Sequence, residues 1–158
     1  LKEYDEAIAA VDRCAASAGV AEQRLASARS WGTYDIIAGG FVASSIKKTK
    51  VQEALAAIDA TTSGIATVRR ELADIPQAFA VPNGLELDSG AWTFDVWFDN
   101  IFSDLNMQTR ITEAADKVAH LTSELAGTRQ RLAAGREAAA ATAHDAMARA
   151  AAEWTRRT

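Results

Sequence analysis

The chain is poor in cysteine, proline, basic clusters and long apolar runs, and each shortage excludes something. Its single cysteine, Cys14, rules out an internal disulfide and a cysteine zinc site. Cys14 sits among Ala15, Ala16 and Ala18, where a thiol reads as a small buried apolar group. A lone cysteine also suits the cytoplasm. The two prolines, Pro76 and Pro82, lie in one short region, so everything outside it is free to be helical. Acidic and basic residues are interspersed, 21 against 17, for a net charge of −4. That argues against a nucleic-acid surface, which needs a basic stripe. The one basic run, Lys47-Lys48-Thr49-Lys50, reads as a solvated helix face. The longest apolar run, Ile36 to Ile46, contains two glycines and two serines. It falls well short of the roughly 20 residues that a bilayer span needs.

Alanine is what the chain has in abundance: 36 of its 158 residues. Val, Ile, Leu, Met, Phe and Trp together number only 38. That is thin for a broad globular core and sufficient for narrow seams between helices. Alanine has the best helix propensity because its side chain loses no rotamer freedom. Length and composition therefore predict a single elongated all-α domain over residues 1–158.

Apolar spacing divides the chain into two arms. Over 2–28, Tyr4, Ile8, Val11, Ala15, Ala18, Glu22 and Leu25 alternate steps of four and three, the pattern of a coiled-coil seam with one polar intruder. Over 35–74, Val51, Leu55, Ile58, Thr62, Ile65, Arg69 and Leu72 keep the same step. Between them Ser30-Trp31-Gly32-Thr33-Tyr34 shifts the phase, either as a break capped by Thr33 or as a stutter in a continuous helix. The segment 75–91 carries turn chemistry in Pro76, Pro82-Asn83-Gly84 and Ser89-Gly90. From 92 to 158 there is no proline. Ile111, Val118, Leu125 and Leu132 recur at sevens, with Ala114, Leu121 and Thr128 as companions. Beyond Leu132 the stripe fades: residues 133–152 hold 12 alanines, with Met147 and then Trp154 as the large apolar residues.

As continuous helices, 2–74 and 92–158 would span roughly 110 Å and roughly 100 Å at about 1.5 Å per residue. Two arms of matched length around a tip at 75–91 predict a long antiparallel helical hairpin with coiled-coil seams. Facing residue numbers would then sum to about 166. The alternative folds the first arm at 30–34 into a three- or four-helix bundle.

Five of the eleven aromatic residues fall in Trp92-Thr-Phe-Asp-Val-Trp-Phe-Asp-Asn-Ile-Phe102. Trp31, Asp35, Gly39 or Gly40, Ser44 and Lys48 follow one another at steps of about four, near one helix face. A Gly pair inside a helix costs about 1 kcal/mol per residue against alanine, so close approach of another helix or an indole is expected to compensate. Trp31, Asp35, Gly39, Gly40, Trp92, Trp97, Phe98 and Phe102 are accordingly the candidate packing or interaction hot spot. The stretches Trp31-Gly-Thr-Tyr-Asp35, Gly39-Gly40, Lys47-Lys48, Val51-Gln-Glu-Ala54, Arg70-Glu-Leu-Ala-Asp-Ile75 and Phe94-Asp-Val-Trp-Phe-Asp-Asn-Ile-Phe-Ser-Asp104 resemble a family of uncharacterised, predicted helical bacterial proteins. The likeness covers roughly 25–120 and implies a helical fold; it supplies no active site. The pair Lys47-Lys48 stands where that family often has Lys-His.

No nucleophile elbow, phosphate loop, dinucleotide fingerprint or zinc spacing is present. Asp95 and Asp99 form an i,i+4 pair, but the Glu-x-x-His repeat of bundle di-metal sites is missing. His120, with Asp116 and Glu124 one turn away, reads as a solvated face. No catalytic, cofactor or metal residue is therefore expected. The composition points to a non-enzymatic interaction or scaffolding protein that binds a protein partner or itself through helix faces. The alternative is a peripheral membrane-surface protein using the aromatics of 92–102 and the basic residues 47–50.

Overall fold

The computed structural model describes residues 1–38, 41–75 and 107–157, with the side chains of 31–48 and 107–108 left aside. These residues form three α-helices: α1 (Lys2–Ala38), α2 (Phe41–Ala73) and α3 (Met107–Arg157). No strand occurs among the described residues. The all-α expectation holds.

The helix ends follow local chemistry. The first turn of α1 carries Glu3 and Asp5, anions at the positive end of the helix dipole. Arg156 and Arg157 close the last turn of α3, cations at the negative end. At the end of α2 the Asp74 and Ile75 amides donate to Glu71 O and Leu72 O, both at 3.3 Å. This tighter i→i+3 turn uses carbonyls that the helix leaves over. Pro76 follows and disfavours helical backbone at Ile75.

Side-chain pairs fix the directions. Cys14 Sγ donates to Thr61 O, and Arg24 pairs with Glu53, so α1 and α2 run antiparallel. Arg129 donates to Asp12, Arg136 to Asp5, and Thr122 to Glu22, so α1 and α3 are antiparallel as well. It follows that α2 and α3 are parallel, and α1 is the helix that packs along both of the others. The bundle form of the expected architecture is the one adopted. The first arm is two helices, and the chain reverses between Ala38 and Phe41 rather than at 30–34, which α1 crosses as helix. Pairing α3 with α1 replaces the two-arm hairpin register: α3 reaches α1 near its start, and nothing requires a continuous 2–74 arm.

Burial explains why α1 takes the middle. Its core face is Tyr4, Ala7, Val11, Cys14, Ala18, Ala21, Leu25 and Ala28, all buried at steps of three and four. Five of these eight are Ala or Cys, and small side chains let both neighbouring backbones come close. The larger groups sit on the flanking helices: Ile58, Ile65 and Val68 on α2, Val118, Leu121, Leu125 and Leu132 on α3. At about 25 cal/mol per Å² of apolar area, these side chains supply most of the folding drive. The polar core is satisfied. Thr61 Oγ1 donates to Ala57 O at 2.9 Å, and no buried side-chain N or O among the described residues lacks a partner.

Candidate interaction surface

The candidate hot spot of the sequence falls largely outside what is described. Gly39, Gly40, Trp92, Trp97, Phe98 and Phe102 lie outside the described residues, as do Asp95 and Asp99. Trp31 and Asp35 belong to α1, with side chains outside the description. The basic residues Lys47 and Lys48 stand likewise on α2. Lys50 is described: it donates to Glu53 Oε2 at 3.1 Å, and Arg24 reaches the same oxygen at 2.8 Å. The hydrogen bond from Lys50, aided by the charges of Lys50 and Arg24, holds the Glu53 carboxyl below its usual range. This cluster ties α1 to α2 at the surface.

An open groove of about 590 Å³ runs between α1 and α3. Glu22, Arg29 and Asp116 line it with small residues between them. Glu22 accepts a hydrogen bond from Thr122 Oγ1 at 2.9 Å, which engages it in bracing the two helices. Asp116 faces the groove, while His120 pairs with Glu124 at 3.2 Å on an exposed turn. Among the described residues no three His, Cys, Asp or Glu side chains stand close enough to hold a metal ion. The thiol of Cys14 is buried, and burial pushes it up to about 11, the opposite of an activated nucleophile.

The distinctive surface lies at the far end of α3. Tyr4 of α1 packs against Gly135, where a Cβ would come within 2.8–3.2 Å of the phenol ring. Asp5 pairs with the next residue, Arg136. Ala139 is the last α3 residue packed on the core. From Ala141 to Arg157 every residue is exposed, and the chain stays helical throughout. At about 1.5 Å per residue this is a projecting helix roughly 25 Å long.

The projection is amphipathic. Ala140, Ala143, Met147, Ala150 and Trp154 follow steps of three and four, so they share one face. The core positions Leu125, Leu132 and Ala139 continue by sevens as Ala146 and Glu153, so this face stands one residue, about 100°, round the helix from the core side. Asp145, Arg149 and Arg156 fall on the opposite side. Met147 is 72% exposed and Trp154 74%. An indole is among the most strongly buried side chains on average, and here it stands exposed beyond the bundle. Neither residue belongs to the sequence-derived hot spot. The fading of the apolar sevens after Leu132 is legible in the sequence, and Met147 and Trp154 lie off that pattern.

No family model, curated protein or solved structure matches the chain. Among the described residues no helix is long and apolar enough to cross a membrane.

Proposed function

We propose that the protein is a non-enzymatic helical scaffold that binds a protein partner or a second copy of itself through an exposed helix face. The observation that supports this most is the pair of large apolar side chains, Met147 and Trp154, exposed seven residues apart on one face of α3. Large apolar side chains aligned on one exposed helix face are the usual anchors of a helix-in-groove or helix-on-helix contact. Coiled-coil pairing of such faces is part of the same proposal, as is a cytoplasmic location, which rests on the lone buried thiol of Cys14.

The test compares the full chain with a chain ending at Ala140. Each is immobilised and used to capture partners, and each is examined for self-association. The full chain is expected to associate, with itself or with a defined protein, and the shortened chain is expected not to. If the full chain stays monomeric at every concentration and captures nothing that the shortened chain does not, the scaffold reading falls.

A further inference from the structure

We infer that the side of the bundle where α2 and α3 face each other, turned away from α1, is the docking surface for the chain's own segment 76–106, with the aromatic stretch 92–102 over a hollow among the three helices. This goes beyond the scaffold reading and does not rest on it, because that reading uses a different face of α3.

The ends of the helices set the path. Cys14 lies against Thr61 and Gly64, and Arg24 against Glu53, so facing numbers on α1 and α2 sum to about 77. Asp12 lies against Arg129 and Asp5 against Arg136, so those on α1 and α3 sum to about 141. Ile75 is therefore level with about residue 2 of α1 and Met107 with about residue 34, ~48 Å apart along the bundle at about 1.5 Å per residue. Thirty-one residues, 76–106, join these two points. They would span ~46 Å as helix and ~100 Å fully extended, enough for one pass along the bundle. The shortest pass follows the groove between the two parallel helices that the segment connects.

That groove is wide and apolar. Contact between α2 and α3 is far less extensive than contact of either with α1. On α3, Ala114, Leu121 and Thr128 lie on the flank opposite Thr122, Arg129 and Arg136, the residues that reach α1. All three are buried, so this flank too belongs to a packed interior. Leu55 and Thr62 edge the groove on α2. Near the start of α3, Leu25 and Ala28, Val51 and Leu55, and Arg110 and Ile111 enclose an apolar hollow.

The segment carries the matching surface. Phe94, Phe98, Ile101 and Leu105 recur at steps of four and three, the spacing of one helix face. Ser103, Asp104 and Asn106 stand just before α3 begins, and such residues make turns and cap helices. A reversal there lays the aromatic face antiparallel to the first turns of α3, at the hollow. Charge agrees. Residues 76–106 hold five acids, among them Asp95, Asp99 and Asp104, and no Lys, Arg or His. Arg69, seven after Thr62, and Arg110 and Lys117, on either side of Ala114, fall on the flanks of this groove. The groove between α1 and α3 carries Glu22 and Asp116 beside Arg29, a poorer match for an acidic segment. The outer side of α1 and α2 is already tied by Arg24, Lys50 and Glu53. The result is an up-down-up-down four-helix bundle in which the aromatics of 92–102 are core rather than a surface for a partner.

The experiment reads the indoles of the segment. A full chain carrying Trp31→Phe and Trp154→Phe keeps Trp92 and Trp97 alone. A nitroxide, which quenches a nearby indole, is attached at Lys117→Cys or, in the groove between α1 and α3, at Ala26→Cys. Both positions are exposed, and the buried Cys14 stays unlabelled. The expected emission lies to the blue of free tryptophan, loses more than half its intensity with the label at 117, and changes little with the label at 26. Emission of a solvated indole overturns the proposal. So does quenching from 26 that equals or exceeds quenching from 117, or no quenching from 117. Quenching that appears only when labelled and unlabelled chains are mixed makes the occupant a second copy's segment and overturns it as well.

Discussion

Gly64 of α2 stands so close to Cys14 of α1 that a Cβ added to it would lie 3.0 Å from the Cys14 Sγ, 3.2 Å from its Cβ and 3.3 Å from its Cα. The glycine gives up helix propensity so that α2 can lie directly against the small-residue face of α1. Closeness to the Cys14 backbone matters most, because backbone cannot rotate out of the way as a side-chain tip can.

Gly64→Val is therefore expected to destabilise the fold by about 2 kcal/mol, the scale of overpacking in a close-packed interior. Gly19 is the control. It is mid-helix in α1 with nothing within 4 Å of its missing Cβ, so Gly19→Ala is expected to stabilise by about 1 kcal/mol through propensity alone. Urea unfolding of the two variants checks both signs. A Gly64→Val chain as stable as the parent would mean that α1 and α2 do not touch at this point.

The Cys14 thiol gives a pH signature. It is fully buried and donates weakly to Thr61 O at 3.7 Å. Burial raises it from an ordinary 9.0 to about 11, because the thiolate would lose its hydration. A group whose native value lies above its unfolded value favours folding while protonated. Its contribution is complete below pH 9 and is lost as the pH rises from 9 to about 11. Stability is thus expected to fall more steeply over that interval in the parent than in Cys14→Ala, in unfolding curves taken at successive pH values. Below pH 9 a thiol reagent is expected to react only as fast as the chain opens, and promptly in denaturant.

Alanine on α1 is structural filling of a fixed size. Ala21 is fully buried on the face that packs both neighbours, so Ala21→Leu is expected to cost about 1–3 kcal/mol although it adds apolar surface. Leu125→Ala, on the large-residue side of the same core, is expected to cost about 2–5 kcal/mol through lost transfer energy and a cavity. Calorimetry or urea unfolding measures both. If Ala21→Leu were stabilising, α1 would have to be an outer helix with room beside it.

How much of this is legible in the sequence depends on side-chain size. On α3, where the buried residues are large, spacing marks Ile111, Ala114, Val118, Leu121, Leu125, Thr128 and Leu132, and all are buried. On α1 the every-seventh residues Tyr4, Val11, Ala18 and Leu25 are buried as expected, but their companions are Ala7, Cys14, Ala21 and Ala28 rather than Ile8, Ala15 and Glu22. The same slip recurs on α2, where Ala54, Thr61 and Val68 are buried and Leu55, Thr62 and Arg69 lie at the edge. Reading hydrophobicity favours Ile8 and Leu55. A helix squeezed between two others favours the smallest residue, and an alanine in a chain with 36 of them carries little signal. The reversal between Ala38 and Phe41 is foreshadowed by Gly39-Gly40 as a place for a kink, yet the Trp31-Gly32 pair draws the expected break toward 30–34. The candidate surface escapes the sequence for a different cause. Met147 and Trp154 lie one residue off the sevens that mark the core of α3, so the spacing that finds the core does not find them.

The projection of α3 should be thermodynamically silent in the monomer. Residues 141–157 bury nothing against the bundle, and their helix grows from one already nucleated and held by packing, so it needs only propagation along good helix formers. A chain ending at Ala140, studied below its association range, is therefore expected to unfold within about 0.5 kcal/mol of the full chain, as surface changes do. Its helical dichroism should fall only in proportion to the residues removed. Hydrogen exchange resolves the same point by position: amides of 141–157 are expected to exchange through local fraying, while those around Val118 to Leu132, at the centre of the core, exchange only on global opening. If protection there were already at the global level in dilute solution, some other part of the chain would have to lie over the stripe, and the projection would not be available to any partner.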